Sequence, residues 1–285
     1  MRTSTLMLGG GLCAAAIAMA SAASAADQAF EIRFAAKVGG APLVCGKTYP
    51  GVGTTKADIR LQDFRLYVSN VRLLKAGGGE VALRLDQDGV WQDADLALID
   101  LEDASGNCNG NTATRAVVRG KAPAGRYTGL VFDLGVPQAM NHQDPTNARP
   151  PLNFSALSWP WRGGYKFVTI DFDASAPTNP KAAGFSIHLG STDCGEGALR
   201  SPPQAPCRLQ NRPTYRFEAF DPARQIVVFD LAALVADNDV TLNTPGTPAG
   251  CMSGDNDDDC AGVMKRFGLA FRQAPAGAQA WVRVE

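Results

Sequence analysis

The run Ile59-Arg60-Leu61-Gln62-Asp63-Phe64-Arg65-Leu66-Tyr67-Val68-Ser69-Asn70-Val71-Arg72-Leu73-Leu74 alternates apolar and polar side chains over much of its length and contains neither glycine nor proline. A period of two sends successive side chains to opposite faces of a strand, so this run reads as one long β-strand. Runs at 29–38, 81–85, 96–101, 116–120, 126–134, 165–172, 184–189, 214–219, 225–230 and 281–284 carry the same alternation or a short apolar core, and Gly, Pro, Asn and Asp bound them. Many short strands with turn residues between them predict an all-β fold: an antiparallel β-sandwich or jelly-roll-like body with long loops and few short helices. Only 230–235 reads as helical, with Asp230 as its N-cap, and it is expected at the periphery.

The amino terminus sets the compartment. Arg2 supplies a basic start, residues 6–20 are small and apolar, and Ala23-Ser24-Ala25 has the small-x-small form of a signal-peptidase site. Residues 1–25 therefore read as a signal peptide cut near Ala25/Ala26, and 26–285 as a single β domain, periplasmic or secreted. No basic stop-transfer cluster follows the apolar stretch, so no membrane span is expected after cleavage. A formal net charge of −1 without a basic block gives no electrostatic footprint for nucleic acid or an acidic membrane surface.

Cys13 leaves with the signal, and Cys45, Cys108, Cys194, Cys207, Cys251 and Cys260 remain. An even number of cysteines in an exported chain reads as disulfides. Loop closure favours near neighbours, which pairs Cys194 with Cys207 across a proline-rich loop and Cys251 with Cys260 across an acidic one. Cys45 is then left for Cys108. The Cys-x-x-Cys spacing of a thiolate metal cluster is absent.

The chain has two histidines, His142 and His188, and its densest aromatic stretch, Trp159-Pro160-Trp161-Arg162-Gly163-Gly164-Tyr165-Lys166-Phe167, lies between them. Two neutral imidazoles with one further weak donor suit copper better than magnesium or calcium. The expected hairpin of 165–173 and 184–191 puts His188 on a strand, whereas His142 falls in a loop. On spacing alone the plainer reading is a core histidine at 188, a turn residue at 142 and an aromatic packing cluster at the Trp-Pro-Trp run. Pro160 favours an extended backbone there, with both indoles on one side of the chain.

Several blocks weigh against that plainer reading. Pro50 to Thr55, Asp63 to Val71, Gln87 to Gln92, Gly135 to His142, Trp159 to Phe167, His188 to Thr192 and Cys251-Met252-Ser253-Gly254 together resemble the MbnP-like family, the exported metallo-mystery-pair proteins with a four-cysteine motif. The resemblance implies a copper-binding protein paired with a MauG-like dihaem peroxidase, MbnH, which oxidises a tryptophan to kynurenine. It implies His142 and His188 as ligands together with the modified side chain. Intact indole offers only an N–H donor, whereas kynurenine exposes an aryl amine. The candidates for modification are Trp159, Trp161 and, third, Trp91; Trp281 reads as strand packing.

The loop between Cys251 and Cys260 carries Asp255, Asp257 and Asp259, oxygen donors of the kind that hold calcium. It lacks the distal glutamate and flanking helices of an EF-hand, so a solvated, disulfide-clipped loop is the favoured reading. No Gly-x-Ser-x-Gly elbow, phosphate loop or His-Glu-x-x-His helix is present in the sequence, and the chain is not expected to be an enzyme. The competing class is a metal-independent sugar- or protein-binding β-sandwich.

Overall fold

The alternating run at 59–74 forms the interior of a strand of 19 residues, Ala57–Lys75. It belongs to a computed structural model that describes residues 26–180 and 184–285; the expected signal peptide lies outside them. In chain order the first strands are β1 (Asp27–Val38), β2 (Ala41–Pro42), β3 (Thr48–Val52), β4 (Ala57–Lys75), β5 (Glu80–Ala82), β6 (Arg84–Leu85), β7 (Gln92–Asp93) and β8 (Leu96–Asp100). They are followed by β9 (Val117–Pro123), β10 (Tyr127–Leu134), β11 (Val168–Ser175), β12 (Phe185–Leu189), β13 (Thr214–Phe217), β14 (Val227–Asp230), β15 (Gly250–Cys251) and β16 (Val282–Val284).

The strands form two sheets, one in the order β16-β14-β1-β9-β6 with β2 added at β1, the other in the order β13-β10-β4-β11-β12-β15 with β3, β5 and β8 added at β4. Most pairings are antiparallel, but β14 runs parallel to β1 and β15 parallel to β12. The apolar faces of both sheets share one core. Within it Phe34 of β1 stacks on Phe229 of β14 at 5.8 Å and meets Phe132 of β10, in the other sheet, edge-on at 5.9 Å. This is the all-β sandwich that the alternation predicts.

β4 departs from simple alternation in its middle. Residues 57–62 are buried on alternate positions, whereas every residue from Asp63 to Ser69 is buried. The cause lies in the pairing. On one edge β4 meets β11 along 58–66 and β10 along 68–75, while β8 runs along the opposite edge of 65–69. The change of partner falls at Tyr67, whose N–H donates to the Phe167 carbonyl at 2.9 Å and whose carbonyl accepts from the Gly135 N–H at 2.8 Å. Residues 135–167, which connect β10 to β11, must leave the sheet at this fork, and they cover its second face.

The three disulfides join Cys45 to Cys108, Cys194 to Cys207 and Cys251 to Cys260, as the spacing predicts. Helix α1 (Leu231–Leu234) is capped by Asp230, whose carboxylate accepts from the N–H groups of Ala232 and Ala233. It is not peripheral, because Leu231 and Leu234 are fully buried. A second helix, α2 (Cys260–Phe267), was not expected from the sequence. It buries Cys260, Val263, Met264 and Phe267 on one side, carries Lys265 and Arg266 in its last turn, and ends at Gly268 with φ +83°.

Trp281 ties the two sheets to α2. Its ring lies 5.0 Å from Phe229 and 5.1 Å from Phe267, and its indole N–H donates to the Tyr215 hydroxyl of β13 at 2.8 Å. Replacing it with alanine opens a cavity at the junction and leaves that hydroxyl only its bond to the Phe267 carbonyl, so Trp281→Ala is expected to lower stability by about 3–5 kcal/mol. Urea unfolding with the disulfides intact measures this, and a midpoint equal to that of the wild-type protein would refute the junction role.

Candidate metal centre

The fork at Tyr67 positions the loop that carries the sequence-predicted site. Gly135 takes φ +125°, and a Cβ there would lie 2.7 Å from the Phe167 ring, so the two ends of the loop close together only with glycine at this position. The Tyr67 hydroxyl donates to the Pro151 carbonyl at 2.9 Å, and its ring meets Tyr165 edge-on at 6.2 Å. Asn141 then fastens the loop to itself. Its side-chain oxygen accepts from the N–H groups of His142, at 3.0 Å, and Tyr165, at 2.8 Å. That amide lies over Gly164, where a Cβ would meet it at 2.3 Å.

His142 is 5% exposed and sits at φ +64°, a conformation held by the Asn141 contacts. Its Nδ1 lies 2.9 Å from the Trp161 carbonyl, which can only accept, so Nδ1 carries the proton. Nε2 is left with the lone pair and faces the Cys207 sulfur at 3.4 Å, a disulfide atom with no hydrogen to give. Burial lowers the imidazole pKa against the opposing pull of the Trp161 carbonyl, which favours the neutral ring.

His188 occupies the expected strand, on β12, opposite Thr169 of β11. Its Nε2 donates to the Asp171 carboxylate at 3.0 Å, so in the neutral ring the lone pair falls on Nδ1. Burial opposes ionisation of Asp171, yet His188, Ser186 and Lys166 outweigh it and hold the carboxyl below its ordinary range. Both imidazoles thus have one nitrogen fixed by an acceptor, the arrangement that orients a metal-binding histidine.

The Trp-Pro-Trp run spans the two. It is not extended, as the proline suggested, because Pro160 opens a turn in which its carbonyl accepts from Gly163 N–H at 2.7 Å. The turn gives the two tryptophans different roles. The Trp159 ring lies against Gly190, two residues beyond His188, where a Cβ would approach the ring to 2.3 Å. Trp161 offers its carbonyl to His142. Trp159 also lines an open groove of about 370 Å³ with Pro160, Arg162, Cys194, Leu199 and Met252. Arg162 fixes the far wall by donating to the carbonyls of Cys194 and Ala198.

Other candidates lie apart. Trp91 stacks on Phe154 at 6.1 Å, and the Asp88 carboxylate holds its backbone N–H. Among the described residues two groups of three His, Cys, Asp or Glu side chains converge closely, His142 with Cys194 and Cys207, and Glu102 with Cys45 and Cys108. The sulfurs in both are spent in disulfides, so in each only the histidine or the carboxylate retains a donor. His142 and His188 are not gathered into one such group. In the acidic loop, an Asp257 oxygen accepts from Asp259 N–H, Asp259 accepts from Thr244 N–H, and Asp258 pairs with Arg272. Asp255 is exposed.

A row of polar residues crosses the sheet beneath the loop. Asp100 of β8 stands opposite Arg65 of β4, Arg65 opposite Thr169 of β11, and Thr169 opposite His188. Arg65 is 6% exposed and forms a two-point ion pair with Asp63. Asp100 and Glu102 are fully buried, each with one carboxylate oxygen unpartnered. The alternation of 59–74 marks Asp63 and Arg65 as polar without indicating that they are covered.

A two-sheet β-protein whose two histidines bracket an aromatic run in the sequence defines the class. The chain matches the MbnP family model over residues 27–253, and it belongs to that family. It is also similar to the solved structure of MbnP from Methylosinus trichosporium, with a TM-score of 0.81 and 32% identity over 91% of this chain and 98% of that one. No curated protein matches the sequence. No helix among the described residues is long and apolar enough to cross a membrane.

The polar row makes stability depend on pH. Burial, reinforced by Glu102, pushes the Asp100 carboxyl up to about 7 despite Arg65. Between the ordinary value of about 3.9 and that value the folded chain keeps a proton that the unfolded chain has released, so stability falls as pH rises through this window. Asp63, pushed up to about 6 by burial, adds a slope of the same sign. Asp100→Asn is expected to flatten the fall between about pH 4 and 7, read from urea midpoints at stepped pH. An unchanged slope would exclude Asp100 as its source.

Proposed function

We propose that this chain is an exported copper-binding protein whose site is completed when Trp159 is oxidised to kynurenine by a partner dihaem peroxidase, and that it serves copper homeostasis or acquisition. The observation that carries the reading is the state of the two imidazoles. Each has one nitrogen committed to an acceptor, which in the neutral ring leaves the lone pair on the other, and one short aromatic run touches the surroundings of both. Nε2 of His142 is the stronger indication, because it is buried against a sulfur that cannot donate to it, and a soft or borderline cation would satisfy that lone pair.

Trp159 is chosen over Trp161 and Trp91 because its ring lies on the face of β12 that carries His188 and because it lines an open groove. Oxidation inserts oxygen at both carbons of the indole double bond, and hydrolysis then releases one carbon as formate. The aryl amine so exposed is a neutral nitrogen donor that the indole lacked. Copper would be held by nitrogen ligands from His142, His188 and this amine, with Asp171 and the Trp161 carbonyl orienting the imidazoles. On this reading the chain is the substrate of a single oxidation and turns over nothing itself.

The test has two arms. Peptide-resolved mass spectrometry should find the exchange of one carbon for one oxygen on the peptide containing Trp159, only after treatment with the peroxidase and peroxide, and Trp159→Phe should abolish it. In the second arm, His142→Ala and His188→Ala should each remove tight copper binding from the modified protein while leaving the disulfide-clipped β body folded. Equal modification without any oxidant, or wild-type affinity in either alanine variant, would leave the metal-independent sandwich as the better reading.

A further inference from the structure

The acidic loop closed by Cys251–Cys260 takes no part in the site at the histidines, and folding changes which of its oxygens matter. Asp255 is exposed and its carbonyl accepts from Arg272, which also pairs with Asp258. These two aspartates belong to the surface. Asp257 is 2% exposed, and its carbonyl accepts from the first N–H of α2.

Three segments converge on Asp259. Its N–H donates to one Asp257 oxygen at 3.0 Å, the Asn238 amide donates to its carbonyl at 2.7 Å, and the Thr244 N–H donates to its carboxylate at 2.9 Å. Neither helix capping nor ion pairing accounts for the oxygens left over. Asp259 makes no side-chain cap on α2. Neither Asp257 nor Asp259 has a basic partner among the described residues, whereas the nearby Asp237 is paired with both Lys265 and Arg266. The second oxygen of Asp257, Oδ2, is buried with no hydrogen-bond donor, and so is Oδ1 of Asn238, a residue 7% exposed. The Asn238 amide cannot turn over to relieve this, because its nitrogen already serves a carbonyl. The Thr247 hydroxyl lies beside the Asp257 carboxylate, but its proton goes to the Thr244 carbonyl at 2.8 Å, so it too presents an oxygen.

We infer that these oxygens hold a calcium ion, with the Asp257 and Asp259 carboxylates, the Asn238 amide oxygen and the Thr247 hydroxyl as its protein ligands. Covered oxygens that no proton faces require a positive partner. A buried water could bridge them, but it brings no charge to two carboxylates that lack one. Carboxylate, amide and hydroxyl oxygens from separate segments make the irregular shell that calcium accepts, whereas magnesium demands near-octahedral geometry and keeps its water. The assignment does not depend on the copper reading. An ion here would tie α2 and the 238–247 segment to the turn from which Ser253 donates to the His188 carbonyl at 3.0 Å and accepts from Gly190 N–H at 3.1 Å. It would thereby brace the edge of β12 through β15, which runs parallel to it.

The test uses the purified protein freed of metal on a chelating resin, titrated with calcium chloride by calorimetry, with thermal unfolding followed in parallel. One calcium should bind, saturating below about 1 mM as in extracellular calcium modules. It should also raise the unfolding midpoint, since the ion binds only the folded chain. Magnesium at the same concentration should do neither. Asp257→Asn should weaken calcium binding by at least about tenfold, because affinity follows ligand charge. Thr247→Val should weaken it as well, while Asp258→Asn, at the surface, should bind as wild type does. No heat and no midpoint shift in the wild-type protein, an equal effect of magnesium, or wild-type affinity in Asp257→Asn would overturn the assignment. So would an equal loss in Asp258→Asn, which would place the ion among the exposed aspartates. Should Asp257→Asn not fold, Thr247→Val decides, and wild-type affinity there overturns it.

Discussion

Two backbone hydrogen bonds of Tyr67 determine where everything else in the molecule goes. Its N–H reaches Phe167 and its carbonyl is reached by Gly135, so β4 exchanges one edge partner for another at a single residue. β4 is long enough to be shared by β11 and β10 in succession, and the chain joining those two strands has nowhere to run except over the sheet. The connection thereby buries the second face of β4. Strand residues that would ordinarily meet water, Asp63 and Arg65 among them, have to satisfy one another instead. Such a buried pair adds little net stability over apolar residues of the same size, but losing one partner is costly, so the polar row is best understood as what the covering loop requires.

The same constraint separates what the sequence reveals from what it conceals. Alternation is a local signal, and it located the long strand, the β11–β12 hairpin and His188 on it. Disulfide pairing was legible because two of the three loops are short, and Cys45 and Cys108, 63 residues apart, were the remainder. The fork was not, because partner exchange depends on three segments far apart in sequence. Asn141 and Ser253 escaped notice for that reason: each is a small polar residue whose role exists only once Tyr165, or His188 and Gly190, has been brought alongside. Helix α2 has visible signals, aspartates before it, Lys265 and Arg266 near its end and Gly268 after it, but the apolar face is only four residues and the acidic run before it reads as a solvated, disulfide-clipped loop. The turn at Pro160 shows a subtler failure. Proline restrains the residue before it, and the tight approach of Gly163 and Gly164 overrode any continuation of that extended backbone.

The contrast between two tryptophans bears on chemistry. Trp281 is 1% exposed, packed between two phenylalanines, with its indole N–H donated to Tyr215. An indole so enclosed is a structural element, and an oxidant has no path to it. Trp159 is half-buried, borders a groove and packs one part of its ring against a glycine that would exclude it if it had a side chain. On the proposed reading Trp159 would lose electrons to a partner protein and then serve as a ligand, which needs both properties, a face open to the outside and a fixed relation to the other donors. Gly190 supplies the second, because the ring rests on backbone that cannot move aside without disturbing β12.

On the proposed copper reading, fixing the donors before a metal binds has an energetic consequence. A histidine free to choose its tautomer and rotamer gives up that freedom on binding, whereas here Asp171 and the Trp161 carbonyl have already selected which nitrogen is bare. Burial reinforces the choice at His142, since it disfavours the protonated ring that would compete with the cation. The cost of this preorganisation is borne by the fold, in the positive φ of His142 and in a lone pair facing an inert sulfur. A protein with no metal to bind would gain nothing from that arrangement, and a single donor placed at Nε2 would relieve it. That the loop keeps an acceptor exposed to a disulfide, in the one place where a main-chain carbonyl has removed the alternative tautomer, is the physical argument for a cation at this end of the Trp-Pro-Trp run.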